Sequence, residues 1–250
     1  MRGGWGRGLF FSLWLWAVSV AAGETTLDAF VVWDYAGRPR LEAWRNTARV
    51  IEATAGSQRK QWMENGTPRD LAAFLGKLSG ERGNAVSLVY LAAHQSSAAE
   101  WDFRSGPLAA WKEIRTEAPP NRRRLVIWDA CYAEGAGTLP TVRRLAPLFL
   151  FSCRAEEEAG EITFARRRPV DFARRFPEEQ AWLKTHLSED WDGSLSFFGL
   201  IWLHTWMTAE KKPETWDEWR EFSRRCAAAS LQFQREVSRK TASTVVVLEP

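Results

Sequence analysis

Two residues capable of acyl-transfer chemistry stand at the ends of two apolar segments. Residues 86–95 read VSLVYLAAHQ and residues 125–134 read LVIWDACYAE, so His94 and Cys131 each follow a segment typical of a buried strand. A cysteine attacks a carbonyl carbon as the thiolate, and a neighbouring imidazole can take the thiol proton. In an open α/β sheet, ligands bind in the crevice outside the carboxyl ends of adjacent strands. The sequence therefore predicts a Cys–His dyad at one edge of a sheet.

The remaining histidines and serines offer weaker candidates. His186 stands in the charged segment AWLKTHLSED, and His204 stands in an apolar helical segment, where a packing role is expected. Three histidines and three cysteines at wide spacing do not form the ligand pattern of a zinc site, so we predict no metal. Residues 193–197, GSLSF, lack the second glycine of a nucleophile elbow, which argues against a serine hydrolase.

Cysteine usage leaves one question open. The chain has three cysteines, Cys131, Cys153 and Cys226, so at least one thiol stays unpaired within the chain. Cys153 and Cys226 either form a disulfide or are small buried apolar residues.

Strand and helix patterns alternate along the chain and place these residues. This alternation, with short apolar strands, predicts an α/β fold with a mainly parallel sheet covered by helices on both faces. The predicted strands are Leu27–Trp33, Ser87–Ala92, Leu125–Trp128, Leu148–Ser152 and residues 244–248. The predicted helices cover residues 41–54, 68–78, 108–116, 139–145, 177–187, 194–207 and 215–238, with a turn at 134–137.

The amino terminus has the features of a secretory signal. Arg2 and Arg7 precede an apolar stretch at residues 9–22, which ends in small residues. We therefore expect export to the periplasm or the extracellular space after removal of residues 1–23, with an uncleaved membrane anchor as the alternative. No later segment has the length and apolar character of a membrane span.

Composition fits a folded domain without a polyanionic partner. The chain has 250 residues, of which 45% are hydrophobic and 26% are charged. These values are typical of one large globular domain. Lys and Arg number 34 against 31 Asp and Glu, and loss of Arg2 and Arg7 leaves a net charge of about +1. Nucleic acid is therefore not an expected partner.

Four segments together resemble the caspase-like cysteine peptidases, a family that includes metacaspases and paracaspases. They are a strand ending Ala-Ala-His at 92–94, a strand ending Asp-Ala-Cys at 129–131, the strand segment LFLFSCRAEEEAGE at 148–161, and GSLSFFGLIWLHTW at 193–206. The likeness runs from Leu27 to Leu248. It implies the caspase-like three-layer sandwich and a secreted member of bacterial type.

The resemblance also implies a domain organisation. The signal peptide, residues 1–23, is followed by a peptidase domain at 24–250. Within that domain we expect a part like the large caspase subunit to about residue 155, a charged connector at about 156–190, and a part like the small subunit at about 191–250.

Roles for individual residues follow from the same resemblance. Cys131 would be the nucleophile, His94 the general acid and base, and the main-chain amides of Gln95 and Cys131 the oxyanion hole. Asp129, helped by Asp34 or by a glutamate of residues 156–161, would bind an Arg or Lys side chain of a peptide or protein substrate. The family needs no cofactor, although some relatives depend on calcium.

Four positions depart from the family pattern and support an alternative function. Gln95 replaces the glycine after the histidine, Tyr132 and Ala133 replace a small residue and glycine after the cysteine, and Thr47 replaces an aspartate. The alternative is a caspase-like module that is weakly active or inactive and that binds peptides or partner proteins. We expect the protein to be a cysteine-type endopeptidase.

Overall fold

The computed structural model describes most of the chain after the predicted signal peptide. The predicted signal peptide, residues 1–23, lies outside the described residues, as do residues 164–174 and 188–190 of the predicted connector. The described residues are 24–35, 42–78, 80, 83–97, 100–103, 106–108, 118–163, 175–187, 193–236 and 243–249.

A mainly parallel sheet of six strands lies at the centre of the protein. Its strands are β1 (Thr25–Val31), β2 (Gln58–Glu64), β3 (Val86–Ala92), β7 (Arg124–Asp129), β8 (Leu148–Phe151) and β11 (Val246–Leu248). Their spatial order is β11-β8-β7-β3-β1-β2, and β11 runs antiparallel to β8 at one edge. Every residue of β3 and β7 is buried. Because side chains of a strand alternate between its faces, both faces of the sheet are covered at its centre.

Two small antiparallel sheets accompany the central one. The first contains β4 (Gln95–Ser97), β5 (Glu100–Phe103) and β6 (Gly106–Leu108), and it begins directly after His94. The second pairs β9 (Glu161–Thr163) with β10 (Ser194–Ser196), so it joins the start of the predicted connector to the segment that follows the connector.

Helices connect and cover the strands of the central sheet. The helix α2 begins at Pro68 after a capping box, in which Thr67 and Asp70 satisfy each other's main-chain N–H groups. The longest helix, α7, contributes Trp219 and Phe222 to an aromatic cluster with Trp202 of α6. The helices are α1 (Glu42–Ala55), α2 (Pro68–Gly76), α3 (Ala133–Ala136), α4 (Pro140–Arg143), α5 (Pro177–His186), α6 (Phe197–Thr208) and α7 (Trp216–Glu236).

The predicted α/β class is confirmed, with corrections to individual elements. Strand β2 is absent from the prediction because its sequence, QRKQWME, is polar; it lies at the edge of the sheet, where polar side chains reach solvent. The predicted helix at 108–116 is wrong at its start, since Leu108 belongs to β6, and residues 109–117 lie outside the described residues. Residues 194–196 form a strand rather than the first turn of α6.

Other boundaries shift by smaller amounts. The predicted turn at 134–137 is mostly the helical turn α3, and the first strand ends at Val31 rather than Trp33. In the part of the chain that the structure describes, none of the helices has the length and apolar character needed to span a bilayer.

Candidate active site

His94 and Cys131 occupy equivalent positions at the ends of two neighbouring strands. Strands β3 and β7 pair in parallel, and Ala92 is the register partner of Asp129. His94 and Cys131 each stand two residues beyond one member of this pair. Hydrogen-bonded strands lie about 4.8 Å apart, so the topology brings both residues to the same edge of the sheet.

Two other segments hold His94 in place. Its main-chain N–H donates to the Tyr35 hydroxyl at 2.6 Å, and that hydroxyl donates to the Val32 carbonyl at 2.5 Å. The Nε2 atom of His94 lies 3.6 Å from Oδ2 of Asp102 on β5. This separation exceeds hydrogen-bond distance, so the contact between the two side chains is an electrostatic one.

The Cys131 thiol is nearly buried and is protonated at rest. The residue is 7% exposed. Burial raises the pKa of the Cys131 thiol, and the nearby carboxylates of Glu158 and Asp129 raise it further. The main-chain N–H groups of Ala159 and of Cys131 itself act in the opposite direction. The thiol therefore needs a base before it can attack.

The main-chain N–H groups around Cys131 differ in whether they already donate a hydrogen bond to another residue. Ala130 N–H donates to Ser152 Oγ at 3.1 Å, Tyr132 N–H to the Glu157 carbonyl at 2.8 Å, and Ala133 N–H to Cys153 Sγ at 3.4 Å. The N–H of Cys131 lies against its own thiol and donates to no other described residue. An amide in this state can donate to an oxygen atom that arrives with a substrate.

Tyr132 has a left-handed backbone conformation, with φ 56° and ψ 27°. This conformation costs a residue with a Cβ atom about 1–2 kcal/mol. Strained backbone of this kind persists where the surroundings hold it, and it is found often at functional sites. Here the surrounding hydrogen bond is the one from Tyr132 N–H to Glu157, so the turn after Cys131 is fixed by the segment that follows β8.

The Gln95 side chain is part of the core. Its Oε1 accepts hydrogen bonds from the indole N–H groups of Trp101 and Trp128, both at 3.1 Å. Its Nε2 donates to the Tyr132 carbonyl at 3.2 Å. The side chain that replaces the family's glycine is therefore directed inward, and Gln95 is fully buried.

Asp129 is a fully buried carboxylate whose Oδ2 atom accepts hydrogen bonds from two hydroxyl groups. Oδ2 accepts hydrogen bonds from the hydroxyls of Ser196 at 2.6 Å and Tyr90 at 2.8 Å. Oδ1 accepts none within the described segments. Burial raises the pKa of Asp129 to about 6, against the effect of the hydrogen bonds from Ser196 and Tyr90.

Thr47 joins the same network from helix α1. Its hydroxyl lies 2.9 Å from Ser196 Oγ and donates to the Ala43 carbonyl at 2.8 Å. Ser196 Oγ in turn caps helix α6 by accepting from the Gly199 N–H at 2.9 Å. The residue that replaces the family's aspartate therefore reaches Asp129 through one intervening hydroxyl.

Asp34 follows β1 at the same edge of the sheet. Its main-chain N–H and that of Trp33 donate to Asn65 Oδ1, both at 2.9 Å. Asn65 follows β2, so this contact joins the ends of two neighbouring strands. The structure places Asp34 beyond the carboxyl end of β1, while Asp129 is the last residue of β7; strand β3 separates the two strands.

Sequence reasoning missed two residues at this edge. Asp102, which faces His94, stands in a strand too short and mixed to be recognised. Glu157 stands in a run of three glutamates that resembles a solvated surface, yet its carboxylate accepts from the Thr244 N–H at 2.7 Å and the Thr244 hydroxyl at 2.8 Å. The position of Asp102 close after a strand-terminal histidine was the available signal for the first residue. Glu157 lies in the glutamate stretch expected to help Asp129, but no local pattern indicates its contact with Thr244.

The remaining cysteines and histidines lie in other environments. All three cysteines are free, and burial raises the pKa of both Cys153 and Cys226 to about 12. Cys153 donates to the Ala130 carbonyl at 3.1 Å. His204 contacts Glu179 at 2.6 Å, so it is more than a packing residue, and His186 stacks on Trp182. Within the described ranges, no cluster of three or more His, Cys, Asp and Glu residues could hold a metal ion.

Comparison with solved structures identifies the architecture. The chain is similar to caspase-1 from Spodoptera frugiperda, with a TM-score of 0.56, 9% sequence identity, and coverage of 91% of this chain and 87% of that chain. No protein-family model matches the sequence, and no curated protein sequence matches it. A likeness at this identity concerns the fold, since one fold supports many functions. The protein therefore has a caspase-like fold.

Proposed function

We propose that the protein is a cysteine endopeptidase that uses Cys131 as nucleophile and His94 as general acid and base. The observation that carries the proposal is the register of β3 and β7, because His94 and Cys131 each stand two residues beyond the register pair Ala92 and Asp129. The caspase-like fold adds support because it has this pair of strands at its centre.

The reaction follows acyl-transfer chemistry. His94 Nδ1 takes the proton of the Cys131 thiol, and the thiolate forms a bond to the scissile carbonyl carbon. The C–N bond then breaks while His94 returns the proton to the leaving amine. Water, deprotonated by His94, hydrolyses the thioester and regenerates the thiol. Apo structures often hold such pairs more loosely than the substrate complex does, so the protonated resting thiol is compatible with this cycle.

The oxyanion hole would use main-chain amides. Among the described residues, the N–H of Cys131 donates to no residue other than its own thiol, whereas those of Ala130, Tyr132 and Ala133 are occupied. The Gln95 amide is the second proposed donor; its side chain is directed into the core and leaves the substrate side unobstructed. Loss of one such donor typically costs about 10²- to 10³-fold in rate.

We propose a preference for Arg or Lys before the cleaved bond. Asp129 Oδ1 is a buried carboxylate oxygen without a hydrogen bond among the described residues, and a guanidinium or ammonium group would satisfy it. Asp34, beyond the end of β1 and two strands away from β7, is the proposed helper. Because the pKa of Asp129 is raised to about 6, kcat/KM for basic peptides should fall as the pH decreases through about 6.

A second candidate function is a peptide-binding module without turnover. The observation that favours it is the state of Cys131, whose exposure is 7% and whose pKa is raised by burial. A module of this kind would use the same strand-end crevice for peptide or protein ligands.

We further propose that the protein is exported through residues 1–23 and that residues 156–190 form a connector between two parts of one domain. The described portion of this connector already contains β9 and α5. Gel analysis of cells and medium, with residues 1–23 deleted as the comparison, tests export.

Peptide cleavage tests the enzymatic proposal. Purified protein is incubated with a library varied at the residue before the cleaved bond, beside Cys131→Ala and the matched control Cys226→Ala, which alters a buried thiol away from the proposed site. We expect cleavage after Arg or Lys that is lost in Cys131→Ala and retained in Cys226→Ala. Cleavage after other residues contradicts the proposed preference, and absence of Cys131-dependent cleavage, with or without calcium, contradicts the peptidase and favours the binding module.

A further inference from the structure

Asp102 is the charged group of β5 that faces the His94 ring. Its Oδ2 lies 3.6 Å from His94 Nε2, and the side chains of Asp102 and His94 are 14% and 28% exposed. A partly exposed pair of this kind contributes little to stability by itself. Its geometry is instead that of a carboxylate that orients an imidazole from the side opposite a nucleophile.

Strand β5 is anchored in a way that fixes the position of Asp102. Trp101 and Phe103, its two neighbours, are both buried, and Trp101 packs edge-on against Trp128 with ring centroids 5.1 Å apart. Side chains alternate along a strand, so Asp102 is presented on the face opposite these two anchors. The main-chain N–H of Asp102 also donates to the His94 carbonyl at 2.8 Å.

The same anchor involves the residue next to His94. The indole of Trp101 donates to Gln95 Oε1, and Gln95 Nε2 donates to the Tyr132 carbonyl beside Cys131. The strand that carries Asp102 is therefore tied to the main chain on both sides of the proposed reaction centre. This arrangement gives a rigid support for an orienting carboxylate.

We infer that Asp102 is the positioning residue of a Cys131–His94–Asp102 triad. The inference rests on the proposed peptidase function. Asp102 Oδ2, 3.6 Å from His94 Nε2 in this structure, accepts the Nε2–H once the pair closes to hydrogen-bond distance, and Nδ1 then takes the Cys131 proton. When Nδ1 takes that proton, the ring becomes an imidazolium, and the Asp102 carboxylate stabilises its charge. Asp102 forms no bond to the substrate.

Matched variants of β5 test the role of Asp102. Asp102→Leu removes the acceptor at similar size, Asp102→Asn keeps an acceptor oxygen without the charge, and Glu100→Gln removes a charge from the same strand two residues away. We expect Asp102→Leu to lower kcat by about 10- to 100-fold with KM unchanged, because orientation of the base supplies part of the gain from general acid–base catalysis. Asp102→Asn should recover part of that loss, and Glu100→Gln should match the wild type.

A spectroscopic measurement separates this inference from the proposed function. In ¹⁵N-labelled protein, the Nε2–H proton of His94 should give a resonance protected from solvent exchange in the wild type, in Asp102→Asn and in Glu100→Gln, and no such resonance in Asp102→Leu. Equal protection in Asp102→Leu, or unchanged kcat in a folded Asp102→Leu, overturns the positioning role. If the wild type shows no Cys131-dependent cleavage, the peptidase proposal fails, and the resonance still decides whether Asp102 holds the ring. If Asp102→Leu does not fold, Asp102→Asn supplies the test. An Asp102→Asn protein that loses the protected resonance and keeps the wild-type kcat overturns the inference.

Discussion

The side-chain amide of Gln95 donates a hydrogen bond to the main-chain carbonyl of Tyr132 over 3.2 Å. The residue that follows His94 thus holds the residue that follows Cys131. Because Gln95 Oε1 also accepts from two indoles, one side chain joins β4, β5 and β7 beneath the candidate site. The Gln95 side chain therefore has a structural role.

Removal of this side chain should destabilise the protein. Gln95→Met has a similar shape and leaves the indoles of Trp101 and Trp128 without their acceptor, so we expect the free energy of unfolding to fall by about 1–3 kcal/mol for each orphaned N–H. Urea unfolding followed by tryptophan fluorescence measures the change. Gln95→Glu, which keeps an acceptor oxygen, is the control; a Gln95→Met protein as stable as the wild type contradicts the assigned role.

At position 132, the glycine variant should be more stable than the alanine variant, which is the reverse of the usual order. Relief of the left-handed conformation favours glycine by about 1–2 kcal/mol, while the greater freedom of glycine in the unfolded chain removes about 0.4–1 kcal/mol of that gain. Tyr132→Gly should therefore be more stable than Tyr132→Ala by about 0.5–1 kcal/mol. Both variants lack the tyrosine ring, so the difference in their unfolding free energies isolates the backbone. Equal stabilities would indicate that the turn relaxes.

Asp129 should make stability depend on pH. Burial raises the pKa of Asp129 from 3.8 to about 6 in the folded state. The native state therefore holds the proton more tightly than the unfolded chain, and this contribution is present below about pH 4 and lost as the pH rises to about 6. Its size is about 2–3 kcal/mol at most.

The comparison with Asp129→Asn isolates this effect. The variant cannot ionise, so its stability relative to the wild type should improve between pH 4 and pH 7.5. Urea unfolding of both proteins at several pH values in that range provides the measurement, and effects of other titrating groups cancel in the difference. A difference that does not change with pH shows that Asp129 titrates alike in the folded and unfolded states.

Gly199 should resist replacement by alanine although it lies in a helix. Alanine normally stabilises a helix relative to glycine by about 1 kcal/mol. Here an added Cβ would lie against Thr47 Oγ1 and 2.9 Å from Leu195 Cγ. We expect Gly199→Ala to destabilise the protein by about 1–3 kcal/mol.

A double-mutant cycle tests the source of that loss. Thr47→Ala removes the hydroxyl that the new methyl group would meet, so the double variant should be more stable than the two single losses predict, by about 0.5–3 kcal/mol. Thermal or urea unfolding of the four proteins supplies the cycle. If the losses of unfolding free energy in the two single variants add up in the double variant, the added methyl group conflicts with Leu195 and not with Thr47.

The three thiols should differ in their reactivity. The pKa of Cys153 and of Cys226 is raised to about 12, and both side chains are fully buried, whereas Cys131 retains 7% exposure beside a candidate base. Iodoacetamide at pH 7.5 should therefore modify Cys131 first in the native protein, as followed by peptide mass spectrometry. His94→Gln is the matched control and should slow the reaction. Earlier modification of Cys153 or Cys226 contradicts the assignment.

The sequence sufficed to predict the parts of the fold that follow from apolar periodicity. Strands β3, β7 and β8 are short apolar segments, and their buried positions in the sheet match the prediction. Helix α2 was recognisable from Thr67 and Pro68. The ends of β3 and β7 then placed His94 and Cys131 at one edge, because equal lengths of chain follow two strands in parallel register.

Other features depended on tertiary contacts that no local pattern encodes. Strand β2 is polar because it lies at an edge, and Asp102 acquires its position only when β5 packs through Trp101 onto Trp128. The contacts of Glu157 with Thr244 join positions far apart in the chain. The left-handed backbone of Tyr132 was equally inaccessible, since tyrosine rarely adopts that conformation.

The contact between Glu157 and Thr244 has a consequence for the order of events during synthesis. Glu157 holds the turn after Cys131 through the Tyr132 N–H, and Glu157 is itself held by the Thr244 main chain and hydroxyl. Ser243 adds a hydrogen bond to the Ser152 carbonyl at 2.8 Å. A nascent chain that has emerged as far as α7 lacks these supports, although His94 and Cys131 have long been made. The turn at Cys131 therefore gains its last supports only after Ser243 and Thr244 have been synthesised.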